Sequence, residues 1–203
     1  MKVYEFEGVT LEETIEKAEY SLKINKKDFQ IKSDESKEGL FKGKKVKLSV
    51  ITNKELIEYV KKYLKELTKK MNISAKIEVR QKEDGIYFMM FTDNSPILIG
   101  KRGKTLDSIQ ILIRQAIYSA TGFMVNNITI DAECYKVKQK KMLENLANTL
   151  ADEVEATNME VKLDDMTAYE RKIIHNALMK REEIYTESEG EEPHRHIVIK
   201  PNK

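Results

Sequence analysis

Cysteine is almost missing from this 203-residue chain, and Cys134 stands alone. No internal disulfide is possible, and a reducing compartment is the simplest setting. Histidines number only three. His194 and His196 share a face of an extended segment. No HExxH or CxxC pattern accompanies them, and Arg195 stands between, which argues against a metal site. Walker and GxSxG patterns are missing too. The acidic pair Asp164-Asp165 precedes a helix cap, where it complements a helix dipole rather than building a nuclease site. No run approaches the ~18 apolar residues of a membrane span, and MKVYEFEGVT lacks the long apolar stretch of a signal peptide. The expectation is a soluble, cytoplasmic protein with no catalytic residues, no metal and no cofactor. Prolines number only three, and no Pro-rich or Gly/Ser-rich linker separates one part of the chain from another.

What the chain does have is charge in balance. Charged residues make up 34% and hydrophobic ones 40%, with a net charge of +2. This composition suits folded domains with heavily charged surfaces and is too apolar for general disorder. A chain so near neutrality must gather any anion site into a local cluster. Its periodicity divides it in three. Residues 1–52 read as β-α-β-β: alternation at 2–6, a helix entered at Thr10 with Glu13 three residues on as in a capping box, then alternation near 28–33 and 44–50. FKGKK at 41–45 is a lysine-rich turn. Residues 53–134 read as α-β-β-α-α-β. Asn53 caps an amphipathic helix, strands at 74–80 and 86–91 are joined by Glu83-Asp84-Gly85, and Pro96 opens a short helix. A helix over 104–121 is closed by Gly122, and a strand covers 127–133. Residues 135–203 begin with a long amphipathic helix over 135–157, headed by Lys136, Lys138, Lys140 and Lys141. A short strand at 159–163, a helix capped by Thr167, and a hairpin around Gly190 with arms at 183–189 and 194–199 complete the segment. Net charges of the three are +1, +3 and −2, so nucleic-acid contact in the third is confined to one patch. The run 182–192 holds six glutamates and would repel phosphate.

Within the second segment, ILIGKRGKTL at 97–106 sets Gly100-Lys101-Arg102-Gly103 between two helices. Glycine permits close backbone approach and positive φ. Lys101, Arg102 and Lys104 attract anions, and a helix start adds unpaired N–H groups and a positive dipole end. Those four letters alone are better described as a tight turn with solvated lysines, so the context decides. Arg114, ten residues beyond Lys104 and near the third turn, extends a cationic track or stands simply exposed. In the third segment, YERKIIHNAL places Arg171 and His175 four apart on one helical face, a pair that suits a phosphate or a stacked base but also a structural helix.

Longer stretches give these patterns a context. ILIGKRGKTLDSIQILIRQAIY at 97–118, in its α-β-β-α-α-β setting, resembles the bacterial type of KH domain. In that domain a GxxG loop joins two helices and clamps about four nucleotides of a single strand. The resemblance places an apolar groove for bases along the second helix and the strand near 128–131. LDDMTAYERKIIHNALMK at 163–180, with GEEPHRHIVIKP at 190–201, resembles the RxxxH domain, named for an Arg and a His separated by three residues. That implies single-stranded nucleic-acid binding through Arg171 and His175, with His194 and Arg195 near the same face. FEGVTLEETIEKA resembles the entry to the small module that precedes both domains in the Jag family, the SpoIIIJ-associated bacterial RNA-binding proteins. The chain departs from that family at 38–50, EGLFKGKKVKLSV, where relatives carry a KGFLG-like loop.

The family resemblance implies an α+β protein of three small domains: a β-α-β-β module at 1–52, a KH domain at 53–134 and an RxxxH domain at 135–203. It implies a non-catalytic binder of single-stranded RNA, a post-transcriptional regulator linked to cell elongation, cell shape and wall organisation, division or sporulation. Candidate contacts are Gly100, Lys101, Arg102, Gly103, Lys104, Arg114, Arg171, His175 and Arg195. Partners so implied are a second small KH protein and, indirectly, a membrane-protein insertase; a homodimer stays open. The alternative is a protein-interaction adaptor that pairs with another KH protein and a membrane-associated partner.

Overall fold

The computed structural model describes residues 1–37, 44–122 and 124–202. They form two compact units, Met1–Glu133 and Cys134–Lys203. Residues 38–43, which include the first three residues of FKGKK and the first six of the 38–50 stretch that departs from the Jag pattern, lie outside the described residues.

The first unit opens with β1 (Tyr4–Gly8), α1 (Leu11–Leu22), β2 (Phe29–Lys37) and β3 (Lys44–Thr52). The strands make an antiparallel sheet in the order β1-β3-β2, with Tyr4 opposite Val50 and Phe29 opposite Thr52. The Thr10 side chain accepts from the Glu13 N–H at the start of α1. The Glu13 carboxylate reaches back to the Val9 N–H at 3.2 Å, one residue further than a capping box requires. α1 then buries Ile15 and Ala18 against Phe29, Leu48 and Val50, and each large side chain so removed from water contributes roughly 1.5–3 kcal/mol.

α2 (Asn53–Lys70), β4 (Lys76–Lys82), β5 (Gly85–Phe91), α3 (Ser95–Ile99), α4 (Lys104–Thr121) and β6 (Ile128–Ala132) follow, in the expected α-β-β-α-α-β order. Their sheet runs β4-β5-β6, with β5 antiparallel to β4 and parallel to β6. Lying between the other two, β5 buries Ile86, Phe88 and Met90 on one face and Met89 on the other, which explains its unbroken apolar sequence. Leu106, Ile109, Ile113 and Ile117 of α4 are buried at helical spacing.

Two local expectations differ. The α2 cap is Thr52, whose side chain accepts from the Glu55 N–H. Asn53 is instead buried in the first turn. It donates to the Lys27 carbonyl at 3.0 Å and accepts from Gln30 at 2.8 Å, stitching the helix start to the first sheet. The β4–β5 loop has two residues, not three, because Lys82 pairs with Gly85. A Cβ on Gly85 would stand 2.3 Å from the Asn127 carbonyl oxygen, so glycine here serves a close strand approach as much as a turn.

The second unit comprises α5 (Tyr135–Thr157), β7 (Val161–Lys162), α6 (Ala168–Leu178), β8 (Ile184–Glu189) and β9 (His196–Pro201). An antiparallel sheet ordered β7-β9-β8 supports α5 and α6. Leu143, Ala147, Ala151 and Val154 meet Ile173, Ile174, Leu178, Ile184, Ile197 and Ile199 in one core. Arg181, just past α6, reaches Asp152 at 2.6 Å and Glu155 at 3.0 Å on α5. A full capping box starts α6: Thr167 receives the Glu170 N–H, and the Glu170 carboxylate receives the Thr167 N–H at 2.8 Å. Its other oxygen accepts from Gln139 of α5 at 3.0 Å. Among the described residues no helix is long and apolar enough to cross a membrane, no cluster of His, Cys, Asp and Glu could hold a metal ion, and Cys134 is exposed.

Glu170 is 5% exposed and serves donors from Gln139 of α5 and from the Thr167 cap, so its removal takes the acceptor from both. Glu170→Ala is expected to destabilise the second unit by about 1–3 kcal/mol, read as a lowered urea midpoint. An unchanged midpoint would show that the cap is dispensable.

Candidate nucleic-acid interface

The turn between α3 and α4 is shaped by its glycines. Gly100 has φ 71° and ψ 179°, Arg102 has φ 56°, and Gly103 has φ 80°. Three positive-φ residues in four reverse the chain tightly enough for α4 to begin at Lys104. A Cβ on Gly100 would lie 2.1 Å from Thr105 Oγ1 and 3.0 Å from the Thr105 nitrogen, so no other side chain fits unstrained. The amides are partly committed inside the turn: Gly100 N–H donates to Pro96 O at 2.8 Å and Gly103 N–H to Gly100 O at 3.3 Å. The glycines therefore act through shape, and the amides of Gly100 and Gly103 are not themselves open to a ligand. Lys101, Arg102 and Lys104 are exposed, while Gly103 is buried beneath them.

From Lys104 an exposed stripe runs up α4 through Ile111 and Tyr118, 54% and 51% exposed, with Ile97 of α3 at 49%. A cationic loop leading to an apolar and aromatic stripe can hold phosphates at one end and stack bases along the other. The strand side differs from expectation. Ile128, Ile130, Asp131 and Ala132 of β6 are buried. Gln110 meets the backbone of this strand. Its side-chain amide donates to Ile128 O at 3.0 Å and accepts from Ile130 N–H at 2.7 Å. That is how a residue of a neighbouring parallel strand would pair, so Gln110 stands in for a missing strand on the edge of β6. The apolar surface offered to bases lies on the helices. Arg114 is half-buried, roughly 80° around α4 from Lys104, and its Nε is buried without a partner among the described residues.

In the second unit, α6, β8 and the 190–195 loop surround the other candidate residues. His175 is exposed, its Nδ1 2.6 Å from Thr186 Oγ1. Arg195 is exposed and donates from Nε to Ser188 Oγ at 3.0 Å. Thr186 and Ser188 lie two apart on β8, so their hydroxyls share one strand face. Arg171 is buried at 9% exposure. Its guanidinium donates to Met166 O at 2.6 Å and to the Glu192 carboxylate at 2.7 Å. His194 contacts Asp165 at 2.8 Å, and this hydrogen bond holds the Asp165 carboxyl below the ordinary range. Sequence patterns pointed to Arg171, His175 and Arg195 but passed over Gln110, Thr186, Ser188 and Glu192. Each of those four acts through a partner on another element, which periodicity does not reveal.

Two family models match the chain. The model described as "KhpA/KhpB, KH domain" covers residues 57–128, and the model of the RxxxH (Arg-three-His) domain covers residues 141–201. The chain is similar to the RNA-binding protein KhpB of Bacillus subtilis (strain 168), 32% identical over 163 residues, which are 79% of this chain and 78% of that protein. It is 37% identical over 129 residues to RNA-binding protein KhpB of Clostridium symbiosum, covering 64% of this chain and 58% of the relative. RNA-binding protein KhpB of Lactiplantibacillus plantarum is 33% identical over 137 residues, 68% of this chain and 42% of the relative. The chain thus spans only about half the length of the last two.

Gln110 is 7% exposed, and losing its amide would strand two buried backbone groups of β6. Gln110→Ala is expected to cost about 1–3 kcal/mol and to speed amide exchange at Ile130. Unaltered exchange there would remove the strand-edge role.

Proposed function

The chain belongs to the KhpB, or Jag, family of proteins that join a KH domain to an RxxxH domain, and on that premise we propose that it binds single-stranded RNA without chemically altering it. The observation that carries this reading is the 100–104 turn. Its cations are exposed, its first glycine holds a shape no other residue fits, and an apolar stripe continues from it along α4. Lys101, Arg102 and Lys104 neutralise phosphates, with Gly100 and Gly103 setting their spacing and Arg114 at the border of the same track. Ile97, Ile111 and Tyr118 meet the bases. A second contact lies on the Arg171–His175 face with Arg195. Glu187 and Glu189 alternate with Thr186 and Ser188 on β8, and their charge keeps the RNA strand off that other face of the hairpin. In this reading the protein acts in the cytoplasm as a post-transcriptional regulator of cell elongation, division or sporulation.

One observation favours a second reading. Ile111, Leu112 and Tyr118 are large, apolar and exposed on a single helix, which suits pairing with a second small KH protein. In that case the chain is an adaptor, and RNA binding belongs to the pair. Its further link would be to a membrane-associated partner such as an insertase.

The test uses the two inner positions of the turn, because the Gly100 Cβ clash would confound changes there. Asp tolerates the left-handed conformation of Arg102, so Lys101→Asp with Arg102→Asp should leave the fold intact. Binding to a labelled single-stranded RNA is expected to weaken at least about tenfold. The slope of log affinity against log salt is expected to fall by roughly 0.7 for each phosphate no longer neutralised. Unchanged affinity and slope in the folded double variant would remove the turn from the interface.

A further inference from the structure

Arg171 is buried, whereas His175 and Arg195 on the same face are exposed. Its side chain is 10% exposed, and two of its nitrogens are engaged. What they engage is informative. The Arg171 guanidinium donates to the Met166 carbonyl at 2.6 Å, and the Met166 N–H in turn donates to the Arg195 carbonyl at 2.9 Å. Its other branch holds Glu192 at 2.7 Å, three residues before Arg195. Between those points His194 is fixed twice, through its N–H to Glu191 O at 2.7 Å and its ring to Asp165 at 2.8 Å. Arg171 is therefore linked to the segment that carries Arg195 at two points, through the Glu192 carboxylate and through Met166. The outcome is an exposed Arg195 guanidinium set against Ser188, two residues along β8 from the Thr186 hydroxyl that holds His175.

Successive same-face residues on a strand stand roughly 6–7 Å apart. The His175–Thr186 and Arg195–Ser188 pairs thus form two polar stations, one behind the other along β8. We infer that Arg171 is a positioning residue which, through Glu192 and Met166, presents Arg195 to the RNA backbone, and that the strand is held at these two stations rather than by Arg171 itself. This inference rests on the RNA-binding reading and specifies how the second unit carries it out. Glu192 follows as a residue that supports binding, although its charge alone opposes phosphate. A planar guanidinium suits this task because it can satisfy a carbonyl and a carboxylate at once.

The sign of the Glu192 effect is the test. With the full chain and a labelled single-stranded RNA, Glu191→Ala measures the gain from removing one nearby negative charge. It is expected to leave Kd within about twofold or to tighten binding slightly. Glu192→Ala removes the same charge but frees the loop, and is expected to weaken binding by about three- to tenfold. In an Arg195→Gln background Glu192→Ala should change nothing more, because the group it positions is gone. If the alanine variant fails to fold, Glu192→Gln makes the same comparison with a smaller expected loss. Tighter binding by the Glu192 variant than by Glu191→Ala would overturn the inference, since it would show a released Arg171 meeting the RNA. Multiplying effects of the Glu192 and Arg195 changes would overturn it as well. An Arg195→Gln chain that binds RNA as tightly as the unaltered one would eliminate the second station and the inference while leaving the RNA-binding reading standing. An unaltered chain that binds no RNA would remove that reading too.

Discussion

A phosphate chain can be held by a nearly neutral protein only where the backbone itself forces several cations to one exposed point. At residues 100–104 that force comes from a turn that only glycine can make at its first position, because any Cβ there runs into Thr105. The turn brings α3 to its end and starts α4 within four residues, and Lys101, Arg102 and Lys104 are left outside. The rest of the KH fold supports that arrangement. The buried face of α4 lies on the sheet, Gln110 ties it to β6, and the two-faced burial of β5 anchors the layer beneath.

Both units use buried polar side chains to tie their elements together. Gln110 closes the edge of β6 with a side chain where another domain would use a strand. Arg171 and Glu170 sit side by side at the start of α6, one holding the loop that carries Arg195 and the other holding the helix end against α5. Buried polar groups are costly unless every partner is met, and here the partners are specific backbone positions. That cost is met here by fixing α4 to β6 and the start of α6 to α5 and the 190–195 loop. Surface ion pairs such as those of Arg181 and Lys200 stabilise the frame only modestly.

Local signals in the sequence were strong where the physics is local. The bounds of α4 and α5 follow from apolar spacing and, for α4, from Gly122 and the glycine turn. The capping box at Thr167 is legible in four letters. Boundaries slipped where two residues compete for one task. Thr52 and Asn53 can both cap α2, and the buried bonds from Asn53 to Lys27 and Gln30 decide it. Gly85 looks like a turn residue, and only the approach of Asn127 reveals why a strand begins there. The sites divide in the same way. The GKRG turn and the Arg171–His175 spacing stand out because each is short and sits on one element. The burial of Arg171, the carboxylate of Glu192 and the hydroxyls of Thr186 and Ser188 depend on partners from other elements, which no short pattern encodes. Family resemblance placed an apolar groove along α4 and the strand near 128–131; Ile128, Ile130 and Ala132 are buried, and the exposed apolar side chains lie on α3 and α4.

The most direct measurement is photo-crosslinking of the full chain to a uridine-containing single-stranded RNA, with the attached residues mapped by mass spectrometry. The account predicts adducts within 97–118, centred on the glycine turn and the stripe above it, together with adducts near His175 and Arg195. Adducts confined to other surfaces, with none on the peptide that carries Lys101 and Arg102, would contradict it.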